Sequence, residues 1–421
     1  MKSKLLFFIF TLFINCIYSQ NYWKKVNFPS DGGTIFSIMW LEGTKYLAGT
    51  TKAIYISTDS GENWSYLNKV DNTDVITDVL LKTSKGTIIA GTSLGIYRST
   101  DKGNTWSKSN NGIDNPNILS LMQSSKGDIY AGGNKGDIYV SKDEGLTWTK
   151  VLTAHPYSLI ETIVENSKGY IFAGVYNAYD QYAEGVFRST DNCKTWTSSK
   201  NGLASPSVNV LLVVKNDVLY AGTMKGFHKS TDDGVTWTQM MTGLPQSYGV
   251  IAMIAPSQNE IYFGNAIYGV FKSTDGGNSW SDYNAGLTSK YVNSMILAKD
   301  MTILVGCTGC MFKSVNKINS INNCDNLPNE YILKQNYPNP FNPSTNIKFS
   351  INDITNPYTL NIYNLKGQLV KTLVKGNLEK GTHNIIWDGT DSKGETVSSG
   401  IYLYSLSNGK SNQIKRMVLM K

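Results

Sequence analysis

Six aspartates at regular intervals are the residues whose chemistry first invites a functional interpretation. Each belongs to a segment close to Ser-x-Asp-x-Gly-x-Thr-Trp, of which residues 99–106 (STDKGNTW) are the clearest copy. Each carboxylate lies in its own copy, so the six cannot meet at one catalytic centre, and a single aspartate lacks the clustered oxygen atoms that Ca²⁺ requires. We therefore predict no metal site, no cofactor and a structural role for the box residues Asp59, Trp64, Asp101, Trp106, Asp143, Trp148, Asp191, Trp196, Asp232, Trp237, Asp275 and Trp280.

The pattern is that expected of a tight turn between two strands. Serine and aspartate side chains two residues apart can accept backbone N–H groups and close the turn. Glycine takes the positive φ that a β-carbon would make costly. The tryptophan begins the next strand and can bury a large ring against the neighbouring unit.

The spacing of these segments indicates a repeat architecture. Successive box tryptophans are 42, 42, 48, 41 and 43 residues apart, and two strand-like runs precede each box, as at 87–92 (TIIAGT) and 95–99 (GIYRS). A seventh pair of runs, at 302–307 and 309–314, is followed by no box. Since Trp23 lies 41 residues before Trp64, we predict that the first strand of the chain completes the last unit and closes a ring.

The repeated segment resembles the Asp box of bacterial-neuraminidase-type repeats. These occur in sialidases, family 74 xyloglucanases, sortilin-like domains and photosystem II assembly-factor-like propellers. The resemblance implies an all-β, seven-bladed β-propeller over residues 20–316, closed by an N-terminal strand. It also implies that each box lies on the hairpin between the third and fourth strands of a blade, away from the ligand face.

The two ends of the chain predict export. Residues 1–19 combine Lys2 and Lys4 with an apolar stretch, as in a secretory signal peptide, and we expect no transmembrane segment. Residues 317–330 are predicted to be a linker, and 331–421 contain short strands and Gly-rich turns typical of a small Ig-like β-sandwich.

This tail resembles the type A C-terminal sorting domain of the type IX secretion system. The likeness rests on residues 336–345 (NYPNPFNPST), 387–389 (WDG), 399–402 (SGIY) and 415–419 (KRMVL). It implies that the partner of residues 331–421 is the type IX secretion machinery. The mature protein is then secreted or attached to the outer-membrane surface.

The best candidates for ligand-binding residues lie in the fourth repeat, which is six residues longer than its neighbours. The excess falls within residues 175–184, in a loop expected on the rim opposite the boxes. Tyrosine rings offer apolar faces with a hydroxyl group, which suits sugars and peptides, although such a loop can also simply pack on itself. The candidates are Tyr176, Tyr179, Asp180, Tyr182 and Glu184, together with Tyr157 and Tyr248, and His155 is expected on the same rim.

Charge and cysteine content restrict the remaining functions. The formal net charge of +7 is spread along the chain without a basic run, which argues against nucleic-acid binding.

Residues 307–310 (CTGC) have the spacing of a redox motif or half of a zinc site. Without a second pair we expect packing residues or a disulfide, and Cys310–Cys324 is the first bridge to consider. Cys193 replaces the box glycine of the fourth copy.

The number and positions of the arginines in this chain argue against a sialidase. Sialidases hold the sugar carboxylate with three arginines, whereas this chain has only Arg98, Arg188 and Arg416. Two of these precede boxes and the third lies in the tail. A glycoside hydrolase that uses paired carboxylates stays open, with Asp31, Asp71, Asp74, Asp114, Asp180 and Glu184 as candidates.

We favour an extracellular binding or scaffold module for a glycan or protein ligand over an enzyme. A purely structural surface protein is the third alternative.

Overall fold

Strands make up almost all the regular structure of this computed structural model, which describes residues 21–71, 73–245, 249–318, 331–351, 357–364, 367–408 and 412–420. The chain divides into two compact units at residue 320. The signal-peptide prediction and most of the predicted linker lie outside the described residues. Within the described ranges, no helix has the length and apolar character needed to span a membrane.

The first unit consists of seven four-stranded antiparallel sheets, the blades. The strand that completes the last blade is β1 (Trp23–Lys25). Blade 1 is β2 (Ile35–Glu42), β3 (Lys45–Thr50), β4 (Ile54–Ser57) and β5 (Ser65–Asn68); blade 2 is β6 (Thr77–Lys82), β7 (Ile88–Thr92), β8 (Gly95–Ser99) and β9 (Ser107–Lys108); blade 3 is β10 (Ile118–Gln123), β11 (Ile129–Gly133), β12 (Asp137–Ser141) and β13 (Thr149–Thr153).

The remaining blades follow the same order. Blade 4 is β14 (Leu159–Glu165), β15 (Ile171–Tyr176), β16 (Val186–Ser189) and β17 (Thr197–Ser199); blade 5 is β18 (Val208–Val213), β19 (Leu219–Thr223), β20 (Gly226–Ser230) and β21 (Thr238–Gln239); blade 6 is β22 (Val250–Ile254), β23 (Ile261–Asn265), β24 (Gly269–Ser273) and β25 (Ser281–Asp282); blade 7 is β26 (Ser294–Leu297), β27 (Ile303–Gly306) and β28 (Met311–Ser314), joined by β1. Two short 3₁₀ helices, Asp180–Tyr182 and Lys215–Asp217, lie in loops.

The seven blades form a closed ring. Each first strand contacts the first strand of the next blade, and β26 contacts β2. The predicted closure by the N-terminal strand is confirmed, because Trp23 pairs with Ser314 and Lys25 with Phe312. The Trp23 ring is 1% exposed, and its Nε1–H donates to the Tyr283 carbonyl at 2.6 Å.

A glycine in each second strand explains how closely the blades pack. A β-carbon at Gly91 would lie 2.8 Å from Ile118 of the next blade, and one at Gly306 would lie 2.7 Å from Ile35. The first strand of each blade therefore packs directly on the backbone of the preceding blade. The second strands are consequently buried on both faces, as the uninterrupted apolar runs of the sequence require.

The second unit is an Ig-like sandwich, as predicted. One sheet has the order β29 (Tyr331–Leu333), β30 (Thr345–Ile351) and β33 (Gly381–Trp387). The other has the order β32 (Leu369–Gly376), β31 (Tyr358–Asn364), β34 (Gly400–Ser407) and β35 (Asn412–Leu419). Trp387 and Phe349 are fully buried in its core, as expected of packing residues.

Candidate functional site

The antiparallel order of each blade defines two faces of the propeller. The Asp-box face carries the loops between first and second strands and between third and fourth strands. The upper rim carries the loops between second and third strands and the loops that lead from one blade to the next. Asp59 and its equivalents lie on the Asp-box face, and the inserted segment lies on the upper rim between β15 and β16.

The boxes are closed turns stabilised by their own hydrogen bonds. In the third copy, Ser141 Oγ donates to Asp143 at 2.7 Å and accepts the Gly145 amide at 2.8 Å. The Asp143 carboxylate also accepts the amide and hydroxyl of Thr147, at 2.9 and 2.5 Å. Trp148 Nε1 donates to the Ser109 carbonyl at 3.1 Å. The serine and aspartate bonds to the turn backbone recur in the other boxes. Among the described residues, the buried Nε1 atoms of Trp196, Trp237 and Trp280 have no hydrogen-bond partner.

The lowered pKa values of the box aspartates agree with a structural role for these residues. The Thr105 hydroxyl and amide lower the pKa of Asp101 to about 2, and those of Thr195 do the same for Asp191. A carboxylate with so low a pKa stays ionised and is a weak base, which is unsuited to proton transfer near neutral pH.

The two arginines of the propeller are also structural. Arg98 Nε donates to the Glu144 carbonyl at 2.7 Å. Arg188 donates to the Asp233 carbonyl at 3.2 Å. Each guanidinium therefore joins its blade to the box of the following blade, at the Asp-box face and away from the upper rim.

The upper rim of blade 4 carries an aromatic group that we call the rim aromatic cluster: His155, Tyr157, Tyr179 and Tyr182. The His155 ring stacks on Tyr182, with centroids 4.7 Å apart and planes at 13°. Tyr157 and Tyr179 flank Tyr182 at 6.5 and 6.4 Å. Tyr157 is 72% exposed, Tyr179 is 63% exposed and Tyr182 is 40% exposed. The cluster therefore presents apolar ring surface and hydroxyl groups to solvent.

Glu184 holds the two loops of this cluster together. Its carboxylate accepts the His155 amide at 2.9 Å. Tyr176 ends β15, half-buried and paired with Leu159. Asp180 begins the 3₁₀ helix that carries Tyr182. The remaining candidate, Tyr248, lies outside the described residues.

Two of the carboxylates that sequence analysis put forward for hydrolysis form ion pairs with lysines. Asp114 accepts Lys150 Nζ at 2.7 Å. Asp74 pairs with Lys69 at 2.5 Å. Both partners hold the pKa of the carboxyl below its usual range, so these groups are surface ion pairs rather than an acid and base poised near neutral pH.

A carboxyl pair that sequence analysis missed lies on the innermost strands. Asp78 and Glu161 each occupy a β-bulge near the upper-rim end of a first strand, in blades 2 and 4. Burial raises the pKa of Asp78 to about 7, with a further contribution from the charge of Glu161, and burial raises the pKa of Glu161 to about 7. Within the described residues, neither carboxyl has a hydrogen-bond or ion-pair partner. Both side chains are half-buried, and acids with pKa values perturbed in this way are often found at functional sites.

Known families match parts of the chain. A model described as sortilin, neurotensin receptor 3, matches residues 95–220, and a DUF6242 β-propeller domain matches residues 160–300. An FlgD Ig-like domain matches residues 340–412. No curated protein matches the chain.

Solved structures extend the comparison. PorZ, a surface component of the type IX secretion system of Porphyromonas gingivalis, aligns with a TM-score of 0.57 at 13% identity, over 94% of this chain and 60% of PorZ. YCF48 bound to D1 peptide aligns with a TM-score of 0.58 at 15% identity, over 71% of this chain and 98% of YCF48. An inactive virginiamycin B lyase from Staphylococcus aureus aligns with a TM-score of 0.58 at 15% identity, over 70% and 99%. At these identities the likeness shows the fold, and the chain spans about 60% of the length of PorZ.

Proposed function

We propose that the propeller is an extracellular binding module whose upper rim takes a glycan or a protein segment. The observation that carries this proposal is the rim aromatic cluster, where three solvent-facing tyrosines and a stacked histidine from two neighbouring loops come together. Aromatic faces with hydroxyl groups bind sugar rings and peptide side chains at low entropic cost, because a tyrosine has only two side-chain torsions to fix.

The comparisons with solved structures support an extracellular location and a binding role for the propeller. PorZ is a bacterial surface component, and YCF48 was solved with a bound peptide. These two similar structures are consistent with a surface location and with peptide binding, and we assign the specificity of this chain to residues 175–184.

Glycan and peptide arrays probed with the purified chain test the proposal. We expect a hit that Tyr179→Ala and Tyr182→Ala each weaken at least about tenfold, as for an interface anchor worth more than ~1.4 kcal/mol. Tyr66→Ala is the matched control, since Tyr66 is similarly exposed but lies on the outer strand β5. Equal binding by all four proteins would overturn the rim assignment.

We also propose that residues 331–421 are an address read by the type IX secretion machinery. The sorting-domain motifs of the sequence, the FlgD Ig-like match and the likeness to PorZ support it. Expression in a type IX-competent host should place the whole chain outside the cell. A chain that ends at residue 330 should remain inside the outer membrane, and export of both would contradict the proposal.

The carboxyl pair supports one alternative, a hydrolase. A carboxyl with a pKa near 7 can act as a general acid, and a glycosidase needs a second, ionised carboxyl about 5–10 Å away as base or nucleophile. Turnover of chromogenic glycosides that disappears in Glu161→Gln would favour this alternative. Retained turnover in that variant would exclude Glu161 as the acid.

A further inference from the structure

The hairpin at residues 307–310 brings two cysteines together at the point where the ring closes. Gly306 pairs with Met311 in the register of β27 and β28, so Cys307 and Cys310 form the next pair. The Cys307 amide donates to the Cys310 carbonyl at 3.0 Å. Paired residues of antiparallel strands have Cα atoms about 4.5–5.5 Å apart, which lies within the range that a disulfide spans.

Both cysteines are free thiols in this structure. The two thiols are in hydrogen-bond contact with each other, and the Ser289 side chain contacts both. Donation from the Cys307 thiol holds the pKa of Cys310 below its ordinary value, whereas the same contact and burial raise the pKa of Cys307. The expected Cys310–Cys324 bridge is not present, because Cys310 is free and faces Cys307, and Cys324 lies outside the described residues.

The same hairpin joins the last blade to the first. The Gly309 amide donates to the Gly33 carbonyl at 2.9 Å, and the Ile35 amide donates to the Cys307 carbonyl at 3.1 Å. The hydroxyls of Thr34 and Thr308 lie 3.1 Å apart. The cysteine pair is thus part of the contact that fastens blade 7 to blade 1 on the upper rim.

We propose that Cys307 and Cys310 form a thiol–disulfide exchange site that a disulfide-bearing oxidant converts to an intramolecular disulfide after export. The Cys310 thiolate attacks one sulfur of the oxidant and releases one thiol. Cys307 then loses its proton, attacks the Cys310 sulfur of the mixed disulfide and releases the second thiol. The protein loses two hydrogens, and the oxidant is reduced to two thiols.

Cys193 provides a matched control within the chain. It is also a buried free thiol, but it lies in the box of blade 4 and its thiol contacts Tyr130 and Ser189 rather than another cysteine. Burial raises the pKa of Cys193, so the thiolate required for exchange is disfavoured there. The same oxidant should therefore distinguish the pair from the single thiol.

Peptide mapping of the purified chain tests the proposal directly. The reduced protein is incubated with oxidised glutathione, unfolded, alkylated and digested with trypsin. Cys307 and Cys310 share one tryptic peptide, residues 300–313, while Cys324 lies on 318–334 and Cys193 on 189–194. We expect most of peptide 300–313 to be lighter by two hydrogens and unalkylated, while Cys193 remains alkylated.

Two results would overturn the proposal: full alkylation of both cysteines of peptide 300–313, or a cross-link between that peptide and 318–334. Cys324→Ser should leave the expected product unchanged. Because the pKa of Cys310 is lowered, the rate of oxidation should reach half its maximum below the ordinary thiol value of about 8.5. A midpoint at or above that value would show that Cys310 is not the attacking group.

Discussion

The two faces of the propeller differ in how far their residues repeat from blade to blade, although the same sequence repeat forms both faces. On the Asp-box face, the serine and aspartate of all six boxes make the same turn hydrogen bonds, and tryptophan rings pack at equivalent places. On the upper rim, blade 4 alone carries a long aromatic insertion and blade 7 alone carries a cysteine pair. Repetition therefore marks what the ring needs in order to fold, and departure from repetition marks where individual chemistry resides.

The two regions also differ in how they treat charge. Each box carboxylate is stabilised by turn hydrogen bonds, which lower its pKa. Asp78 and Glu161, near the rim end of the inner strands, are half-buried without such partners and have raised pKa values. Raised carboxyl pKa values of this kind are common at functional sites. The following predictions test this contrast, from the largest effect to the smallest.

The largest effect is expected at a box tryptophan. Trp148→Ala should lower the free energy of unfolding by about 3–5 kcal/mol, because the ring is buried and its Nε1–H is bonded. Urea unfolding followed by circular dichroism measures this loss. Ligand affinity of the remaining folded fraction should be unchanged, and a specific loss of affinity would break the separation of the two faces.

Next in size is the pH dependence caused by Glu161. Its pKa is about 7 in the folded protein against 4.5 in the unfolded chain, so the folded state binds the proton more tightly. Wild-type stability should therefore fall as the pH rises from about 4.5 to 7 and stay low above 7. Glu161→Gln removes this penalty and should be more stable than wild type by up to ~3 kcal/mol at pH 8, but nearly equal to it at pH 4. Urea midpoints at both values check this, and an equal difference at the two values would contradict it.

A smaller loss is expected when a box turn loses its carboxylate. Asp143→Ala leaves the Thr147 amide and the Ser141 hydroxyl without their acceptor, which should cost about 1–3 kcal/mol. Asp31→Ala is the control, since Asp31 is exposed and should change stability by less than about 0.5 kcal/mol. Equal effects of the two substitutions in thermal and urea unfolding would refute the turn-closing role.

The smallest effect on stability is expected at the rim. Tyr179→Ala removes a ring that is mostly solvated and should alter the free energy of unfolding by less than about 0.5 kcal/mol. A loss above ~2 kcal/mol in urea unfolding would show that the inserted loop packs on itself for stability, the alternative that the sequence left open.

The repeat made much of this molecule predictable. The box spacing and Trp23 together predict seven blades and their closure, because each unit must bury the same strands against its neighbour. The six extra residues before Gly185 predict where the rim differs. Asp78 and Glu161 escaped prediction, because a β-bulge breaks the two-residue alternation from which strand faces are inferred. Alignment of the inner strands would have exposed them, since Phe36, Leu119 and Ile251 occupy the equivalent bulges of blades 1, 3 and 6.

The cysteines were only partly predictable. Packing residues or a disulfide were the expectations for residues 307–310, and both cysteines are buried in a core cluster. The bridge to Cys324 was the first to consider because an exported chain permits one. That Cys307 and Cys310 face each other follows from the pairing of Gly306 with Met311, which is visible only in the folded blade.

The most direct test of the contrast between the faces measures ligand affinity and unfolding free energy together for Tyr182→Ala and Asp143→Ala. We predict that Tyr182→Ala loses affinity and keeps its stability, whereas Asp143→Ala loses stability and keeps its affinity. If Asp143→Ala abolishes binding while folded, or if Tyr182→Ala binds as wild type does, the assignment of structure to one face and recognition to the other is wrong.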